Sequence, residues 1–182
     1  MKILVLLGSL RKASFSRKIA LAAQALAPEG MTFEITDGRE LPLYDQDIDT
    51  EDKPAGVQAL VDQMNAADGL LFVTPEFNYS IPGPLKNAVD WASRPAFRSP
   101  LKDKPSLVIA HSPAPTGGSR AYKELVAVLS GTLTPTYVAP SFTISAVHEK
   151  FDAEGELIEE ITKGRLVKTL QGFEAWVAKQ NA

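Results

Sequence analysis

The most informative segment of this 182-residue chain reads Thr74-Pro75-Glu76-Phe77-Asn78-Tyr79-Ser80-Ile81-Pro82-Gly83-Pro84-Leu85-Lys86-Asn87-Ala88-Val89-Asp90-Trp91. It follows the apolar run Gly69–Val73, which is short, bounded by turn residues and typical of a buried β-strand. The prolines and Gly83 oppose regular structure until a helix can begin at Pro84, where a missing N–H costs nothing. The segment therefore predicts a polar, aromatic loop, Glu76–Ser80, at the carboxyl end of a buried strand, where open α/β sheets bind ligands.

Strand-like and helix-like patterns alternate through the rest of the chain. The predicted strands are Ile3–Leu7, Thr32–Thr36, Gly69–Val73, Ser106–Ala110 and a part of Thr136–Val147. Apolar residues at helical spacing predict helices that begin near Phe15, Pro54, Pro84 and Ser119, and a last helix carrying Leu166, Leu170, Phe173 and Val177. A long acidic loop is predicted over Asp37–Asp52, and a turn or short hairpin over Phe151–Leu157.

This alternation predicts the α/β class with right-handed crossovers. Five strands suit a flavodoxin-like, doubly wound parallel sheet of order 2-1-3-4-5 with helices on both faces. The switch point of that sheet lies between its first and third strands. We find no repeat or linker, so residues 1–182 are predicted to form one domain.

Composition removes several classes of function. The net charge of −3 gives no general attraction to nucleic acid or to an anionic membrane, and no apolar run approaches the ~20 residues of a membrane span. The absence of cysteine excludes disulfides, thiolate nucleophiles and zinc–cysteine sites. It also fits a reducing cytosol. We therefore expect a cytoplasmic protein that acts on small molecules, with neither nucleic acid nor membrane as a partner.

The loop after the first strand has the chemistry of a phosphate site. Gly8 permits a tight exit from the strand, Ser14 or Ser16 can cap the following helix, and Arg11 offers a forked cation. The N-terminal N–H groups of that helix would complete an anion site. The segment is neither a Walker A loop nor a G-x-G-x-x-G motif, which favours one phosphate group of a cofactor over a nucleoside triphosphate. The alternative is a capped helix with a solvated arginine and lysine.

The loop Pro75–Ser80 is expected beside that phosphate site. Phe77 and Tyr79 offer flat apolar surface, and the amide of Asn78 can both donate to and accept from the edge of a heterocycle. The alternative is that either ring packs into a local core, as aromatic side chains usually do. Near the end of the fourth strand, Ser112 and the Gly117-Gly118 pair would let backbone approach a planar ligand, or would form a plain loop before a helix.

Two further signals are not taken as sites. The acidic run Asp45-x-Asp47-x-Asp49 lacks the glycine and glutamate that a calcium loop needs. His111 and His148 are too few to hold a metal without cysteines, and His111 is expected to be a loop residue after the fourth strand. Since Gly-x-Ser-x-Gly is also absent, we predict no metal site and name no catalytic side chain.

The two loops together, Gly8–Arg17 and Thr74–Trp91, resemble the NADPH-dependent FMN reductase family, and within it the bacterial quinone and chromate reductases. Leu43–Asp47 and Gly117–Arg120 extend the similarity over nearly the whole chain. The resemblance implies bound FMN and an oligomer of two or four subunits. By position it assigns these residues to the cofactor: Ser9, Leu10, Arg11, Lys12, Ala13, Ser14, Phe15, Ser16, Pro75, Glu76, Phe77, Asn78, Tyr79, Ser112 and Gly117. Ser16 stands where the family usually has Asn, and Phe77 where it usually has Tyr.

On this basis we expect an FMN-dependent NAD(P)H oxidoreductase. NADPH or NADH would pass a hydride through FMN to quinones or similar small acceptors, with chromate as a further candidate, by a ping-pong mechanism. The cofactor carries the chemistry and the protein positions it. The alternatives are a non-enzymatic electron carrier of the flavodoxin type and a nucleotide-binding regulatory module without redox activity.

Overall fold

The structure is a computed structural model that describes the backbone of residues 1–182 and the side chains of residues 1–138 and 140–182. Five parallel strands lie in the order β2-β1-β3-β4-β5, which confirms the predicted flavodoxin-like class. The strands are β1 Lys2–Leu7, β2 Thr32–Thr36, β3 Gly69–Pro75, β4 Ser106–His111 and β5 Thr136–Ile144. The helices are α1 Phe15–Ala25, α2 Ala55–Ala66, α3 Gly83–Ala92, α4 Ser119–Gly131 and α5 Glu160–Gln180.

Helices cover both faces of the sheet, and each face has its own core. On one face α1 and α5 pack on alternate residues of the strands, among them Val5, Leu71 and Ile109. On the other face α2, α3 and α4 pack on the intervening residues, such as Leu6 and Phe72. Because both faces of β1, β3 and β4 are covered, these strands are continuous apolar runs.

Two strands run further than their sequence patterns indicate. β3 continues through Pro75 and β4 through His111, and these two residues are paired in the ladder. A proline is tolerated there because it is the last residue of its strand and only one ladder donor is missing. The predictions that Pro75 prevents regular structure and that His111 lies in a loop are therefore wrong.

The remaining differences between prediction and structure are small. A short 3₁₀ turn, Gln46–Ile48, interrupts the acidic loop, and α3 begins at Gly83, one residue before the predicted start. The predicted hairpin is confirmed, since Phe151 and Leu157 form an antiparallel bridge. In the described part of the chain, no helix is both long enough and apolar enough to cross a bilayer.

Candidate functional site

Three loops meet at the carboxyl edge of the sheet, next to the switch point between β1 and β3. They follow β1, β3 and β4 and span residues 8–14, 76–82 and 112–118. Parallel strands point their carboxyl ends to one edge, so the sheet order alone brings these loops together. All of the cofactor residues predicted from sequence lie in the loops or in the elements that they join.

The first loop leaves β1 in close contact with β3. Gly8 donates its N–H to the Val73 carbonyl at 2.8 Å. A Cβ atom on Gly8 would lie 2.9 Å from Thr74 Oγ1 and 3.0 Å from Thr74 Cα. Only a glycine allows this approach, as the sequence indicated.

The N-terminus of α1 presents unpaired backbone donors. Ser14 caps the helix, because its Oγ accepts the Arg17 N–H at 3.2 Å. Among the hydrogen bonds of the described residues, none uses the backbone N–H of these five: Leu10, Lys12, Ala13, Phe15 and Ser16. Arg11 and Lys12 are exposed beside them. Unpaired N–H groups at a helix N-terminus with adjacent cations are the donor set that an anion needs.

The end of β2 holds this loop in place. Arg39 Nη2 donates to the Leu10 carbonyl at 2.6 Å and to Asp37 Oδ2 at 3.1 Å. Asp37 also pairs with Arg17 of α1 at 3.5 Å. The loop is thus tied to its neighbouring strand, although neither Asp37 nor Arg39 was singled out from the sequence.

The second loop is a two-residue β-hairpin. Phe77 and Ser80 exchange backbone hydrogen bonds of 3.0 and 2.9 Å, and Asn78 and Tyr79 have φ angles of 50° and 67°. Positive φ at both central residues is the type I′ geometry. The rings of Phe77 and Tyr79 are 54% and 71% exposed, so neither packs into a core. The hairpin instead leaves both rings open at the site.

Helix α4 holds the hairpin from behind. Glu76 accepts the Arg120 backbone N–H and its Nη1 group, each at 3.0 Å. The Arg120 guanidinium lies 4.2 Å from the centre of the Tyr79 ring, and Ser80 Oγ donates to Glu124 at 2.8 Å. The Glu76 carboxylate is therefore committed to α4. The sequence analysis did not predict this contact, although a cation such as Arg120 in the first turn of a helix opposes the helix dipole and so indicates a partner.

His111 joins two of the loops from inside. It is 4% exposed, and its Nε2 lies 2.8 Å from the Oγ of Ser16, which is fully buried. Burial lowers the pKa of His111 from 6.5 to about 4, so the ring is neutral at neutral pH. Its Nδ1 is buried and has no hydrogen-bond partner among the described residues. The Ser16 hydroxyl therefore faces the interior.

The third loop is buried at its two ends, whereas its middle residues 113–116 are exposed. The Oγ of Ser112 accepts the Ala114 N–H at 3.1 Å, and Gly117 is buried. Gly118, with φ of 82°, precedes α4, and a Cβ atom there would lie 2.9 Å from both the N and the O of His111. This contact, which the sequence did not indicate, presses the start of α4 against the end of β4.

The acidic loop uses its carboxylates locally. Asp45 accepts the Asp47 N–H at 2.9 Å, and Asp49 accepts the Tyr44 hydroxyl at 3.3 Å and pairs with Lys53. Across the described residues, no three His, Asp or Glu side chains are grouped as metal ligands would be. These contacts account for the conformation of the loop.

Known proteins are similar to this chain in sequence and in fold. Residues 1–149 match the family described as NADPH-dependent FMN reductase. The chain is 36% identical over 178 residues to an NAD(P)H-dependent FMN reductase of Pseudomonas aeruginosa, spanning 98% of this chain and 96% of that one. It is 40% identical over 177 residues to a 2-hydroxy-1,4-benzoquinone reductase of a Burkholderia species, spanning 97% and 96%. The structure of a flavoenzyme NAD(P)H:(acceptor) oxidoreductase from Paracoccus denitrificans is similar, with a TM-score of 0.88, 33% identity and 98% of each chain covered.

Proposed function

Because the chain belongs to the NADPH-dependent FMN reductase family, we propose that it oxidises NAD(P)H and reduces a quinone or a similar small acceptor. In balanced form, one NAD(P)H, one proton and one quinone give NAD(P)⁺ and one hydroquinone. The protein is an NAD(P)H-dependent flavoenzyme whose cofactor is FMN. The choice of a quinone as acceptor is supported by the relative named as a 2-hydroxy-1,4-benzoquinone reductase.

The residues present fit FMN. The unpaired N–H groups at the start of α1, with Arg11, suit a single phosphate group. The exposed rings of Phe77 and Tyr79 suit a flat, largely apolar ring system. When bound, FMN supplies the redox chemistry by accepting a hydride and releasing two electrons. The chain then has to bind the FMN, orient it and leave one face of its ring system open. No side chain is therefore assigned as acid or base.

The observation that carries the proposal is the hairpin beside the helix N-terminus. The hairpin presents two rings at the switch point, while α1 offers its free donors next to it. The proposed contacts with the cofactor are those assigned from sequence: residues 9–16 and 75–79, Ser112 and Gly117. Glu76 would contribute through its backbone, since its carboxylate is held by Arg120.

A ping-pong mechanism is part of the proposal. The exposed rings of Phe77 and Tyr79 would leave one face of the flavin open, and the nicotinamide and the acceptor would stack on that face in turn. Initial rates at several fixed quinone concentrations should then give parallel double-reciprocal lines. Intersecting lines would show that both substrates bind together.

Several broader features are proposed with this function. Residues 1–182 would act as one FMN-binding domain in a cytoplasmic homodimer or homotetramer. Its partners would be small-molecule acceptors, with neither nucleic acid nor membrane among them. The electron-carrier alternative is not favoured, because the relatives carry the names of reductases.

The direct test is FMN binding followed by turnover. The purified protein should quench FMN fluorescence on titration, and it should oxidise NADPH or NADH in the presence of 1,4-benzoquinone. A parallel assay with chromate decides whether that ion is also an acceptor. Failure to bind FMN, or FMN binding without NAD(P)H oxidation, contradicts the proposal.

A variant of Arg11 tests where the phosphate group of FMN binds. Arg11→Ala should raise the FMN dissociation constant by roughly 10- to 100-fold, because a charge-assisted hydrogen bond contributes about 1.5–3 kcal/mol. Lys179→Ala is the matched control. It also removes one positive charge, but from the last turn of α5 at the opposite end of the sheet. Equal FMN affinity in both variants would mean that Arg11 does not contact the phosphate.

A further inference from the structure

We propose that Ser16 and His111 form a buried positioning pair that holds the phosphate-binding end of α1 against the carboxyl end of β4. The inference rests on the proposed function, because the site that the pair positions is the FMN site. Neither side chain would touch the cofactor, and Ser16 would contribute to the phosphate site through its backbone N–H. Each would act by fixing where the N–H donors of α1 stand relative to the hairpin and to the loop after β4.

The contact itself is long-range and shielded from water. Ser16 Oγ and His111 Nε2 lie 2.8 Å apart and belong to residues 95 positions apart in the sequence. Ser16 is 0% exposed and His111 is 4% exposed. Water cannot replace either partner at this depth, so losing one side of the bond leaves a buried polar atom unsatisfied.

Each of the three site loops contains or directly adjoins a residue that contacts His111. Its ring meets Phe15 of α1 at 6.4 Å between centres, with planes at 70°. Its carbonyl accepts the Glu76 N–H at 3.2 Å, at the start of the hairpin. Its backbone packs against Gly118, which precedes α4. A shift of His111 would therefore move all three loops.

The second ring nitrogen argues against the view that His111 only fills space in the core. His111 Nδ1 is buried without a partner among the described residues, and an apolar side chain would fill the same space without that cost. The contact that distinguishes histidine here is the one to Ser16. The ring is neutral at neutral pH and so adds no positive charge for a phosphate. Its contribution to binding is geometric.

A double-mutant cycle on FMN binding tests the pair. Ser16→Ala removes the hydroxyl, and His111→Phe keeps a ring but removes both nitrogens. Each single variant should weaken FMN binding about 10-fold, equivalent to about 1.4 kcal/mol. The double variant should also lose only about 10-fold, because both substitutions remove the same bond.

The matched control is Ser106→Ala. Ser106 is fully buried like Ser16 and is bonded to Thr136 Oγ1 at 3.0 Å, but it begins β4, at the end of the strand opposite to His111. Its loss should lower the midpoint of thermal unfolding and leave the FMN dissociation constant unchanged. A merely structural role for Ser16 predicts the same outcome as this control.

The outcomes separate the two proposals. If the wild-type protein binds no FMN, the proposed function fails, and this inference fails with it. If the wild-type protein binds FMN and Ser16→Ala binds it equally well, only the pair is refuted. Multiplicative losses in the double variant would also refute it. Should a single variant not fold, the double variant, which leaves neither partner unpaired, gives the same comparison with the wild type.

Discussion

At the scale of single residues, burial sets the behaviour of two polar side chains. His111 is almost fully removed from water, and desolvation lowers its pKa from 6.5 to about 4. Tyr122, on α4, has a buried hydroxyl without a partner among the described residues, and burial raises its pKa. Both groups therefore stay neutral in the folded protein at neutral pH, and both carry an unsatisfied polar atom.

The pKa of His111 predicts a loss of stability in acid. The unfolded chain takes up a proton near pH 6.5 but the folded chain only near pH 4, so stability falls as pH drops through this window. The full difference is roughly 3 kcal/mol. Urea unfolding at pH 7 and pH 4.5 should show a smaller drop for His111→Phe than for the wild type. Equal drops would contradict the lowered pKa of His111. Carboxylates such as Glu34 titrate in both proteins, so their contributions to the two drops cancel.

The orphan hydroxyl of Tyr122 predicts an unusual response to truncation. Tyr122→Phe should leave the free energy of unfolding unchanged or raise it by up to about 1 kcal/mol, because no hydrogen bond is lost. Tyr44→Phe is the control, since the Tyr44 hydroxyl donates to Asp49 at 3.3 Å, and it should lose about 1 kcal/mol. Urea denaturation measures both. A clear loss in Tyr122→Phe would show that its hydroxyl has a partner.

At the scale of elements, α5 contains two glycines in unlike surroundings. A Cβ atom on Gly172 would collide with the Tyr137 hydroxyl and lie 3.1 Å from Tyr137 Cζ, whereas one on Gly164 would meet nothing within 4 Å. Tyr137 cannot move freely, because its ring packs against Phe173 and Trp176. A glycine is therefore needed for close packing at position 172, whereas nothing at position 164 requires one.

We predict that alanine substitutions at these two glycines change the free energy of unfolding in opposite directions. Gly172→Ala should destabilise the protein by about 1–3 kcal/mol through overpacking. Gly164→Ala should stabilise it by roughly 0.5–1 kcal/mol, because alanine has the higher helix propensity. Thermal or urea unfolding measures both changes. In a Tyr137→Phe background the cost of Gly172→Ala should shrink; an unchanged cost would place the strain elsewhere.

At the scale of the whole molecule, two large apolar side chains stand out on the surface. Leu43 is 83% exposed and Phe97 is 76% exposed. The segments that carry these two side chains are in contact, because the Arg94 guanidinium lies 5.6 Å from the centre of the Tyr44 ring. Exposed apolar patches mark contacts between proteins, so we expect a subunit contact at these two segments.

The proposed oligomer can be tested through this surface. Leu43→Ser combined with Phe97→Ser should shift the protein toward smaller species in sedimentation velocity, because less apolar area is covered on association. Ile161→Ser is the matched control, since Ile161 is similarly exposed at 73% but lies on α5. An unchanged sedimentation coefficient in the double variant would place the contact on another surface.

The architecture could be predicted from the sequence, and so could the switch point at which the site is proposed. Apolar runs such as Ile3–Leu7 and Gly69–Val73 are readable as central strands because burial on both faces leaves no polar position. Alternation with helices then restricts the sheet to a few orders, and the switch point follows from the order. Gly8 was also readable, since a tight exit from a strand favours glycine.

The contacts that hold the loops of the candidate site together could not be predicted from the sequence. Ser16 meets His111 across 95 positions, and Glu76 meets Arg120 across 44. Such pairs leave no periodicity in the sequence, because each depends on the distance between elements after they have packed. The ends of β3 and β4 at Pro75 and His111 were missed for the same reason: a ladder between neighbouring strands overrides local preference. Local patterns specify the elements, whereas contacts between distant residues form only when the sheet and its helices have come together.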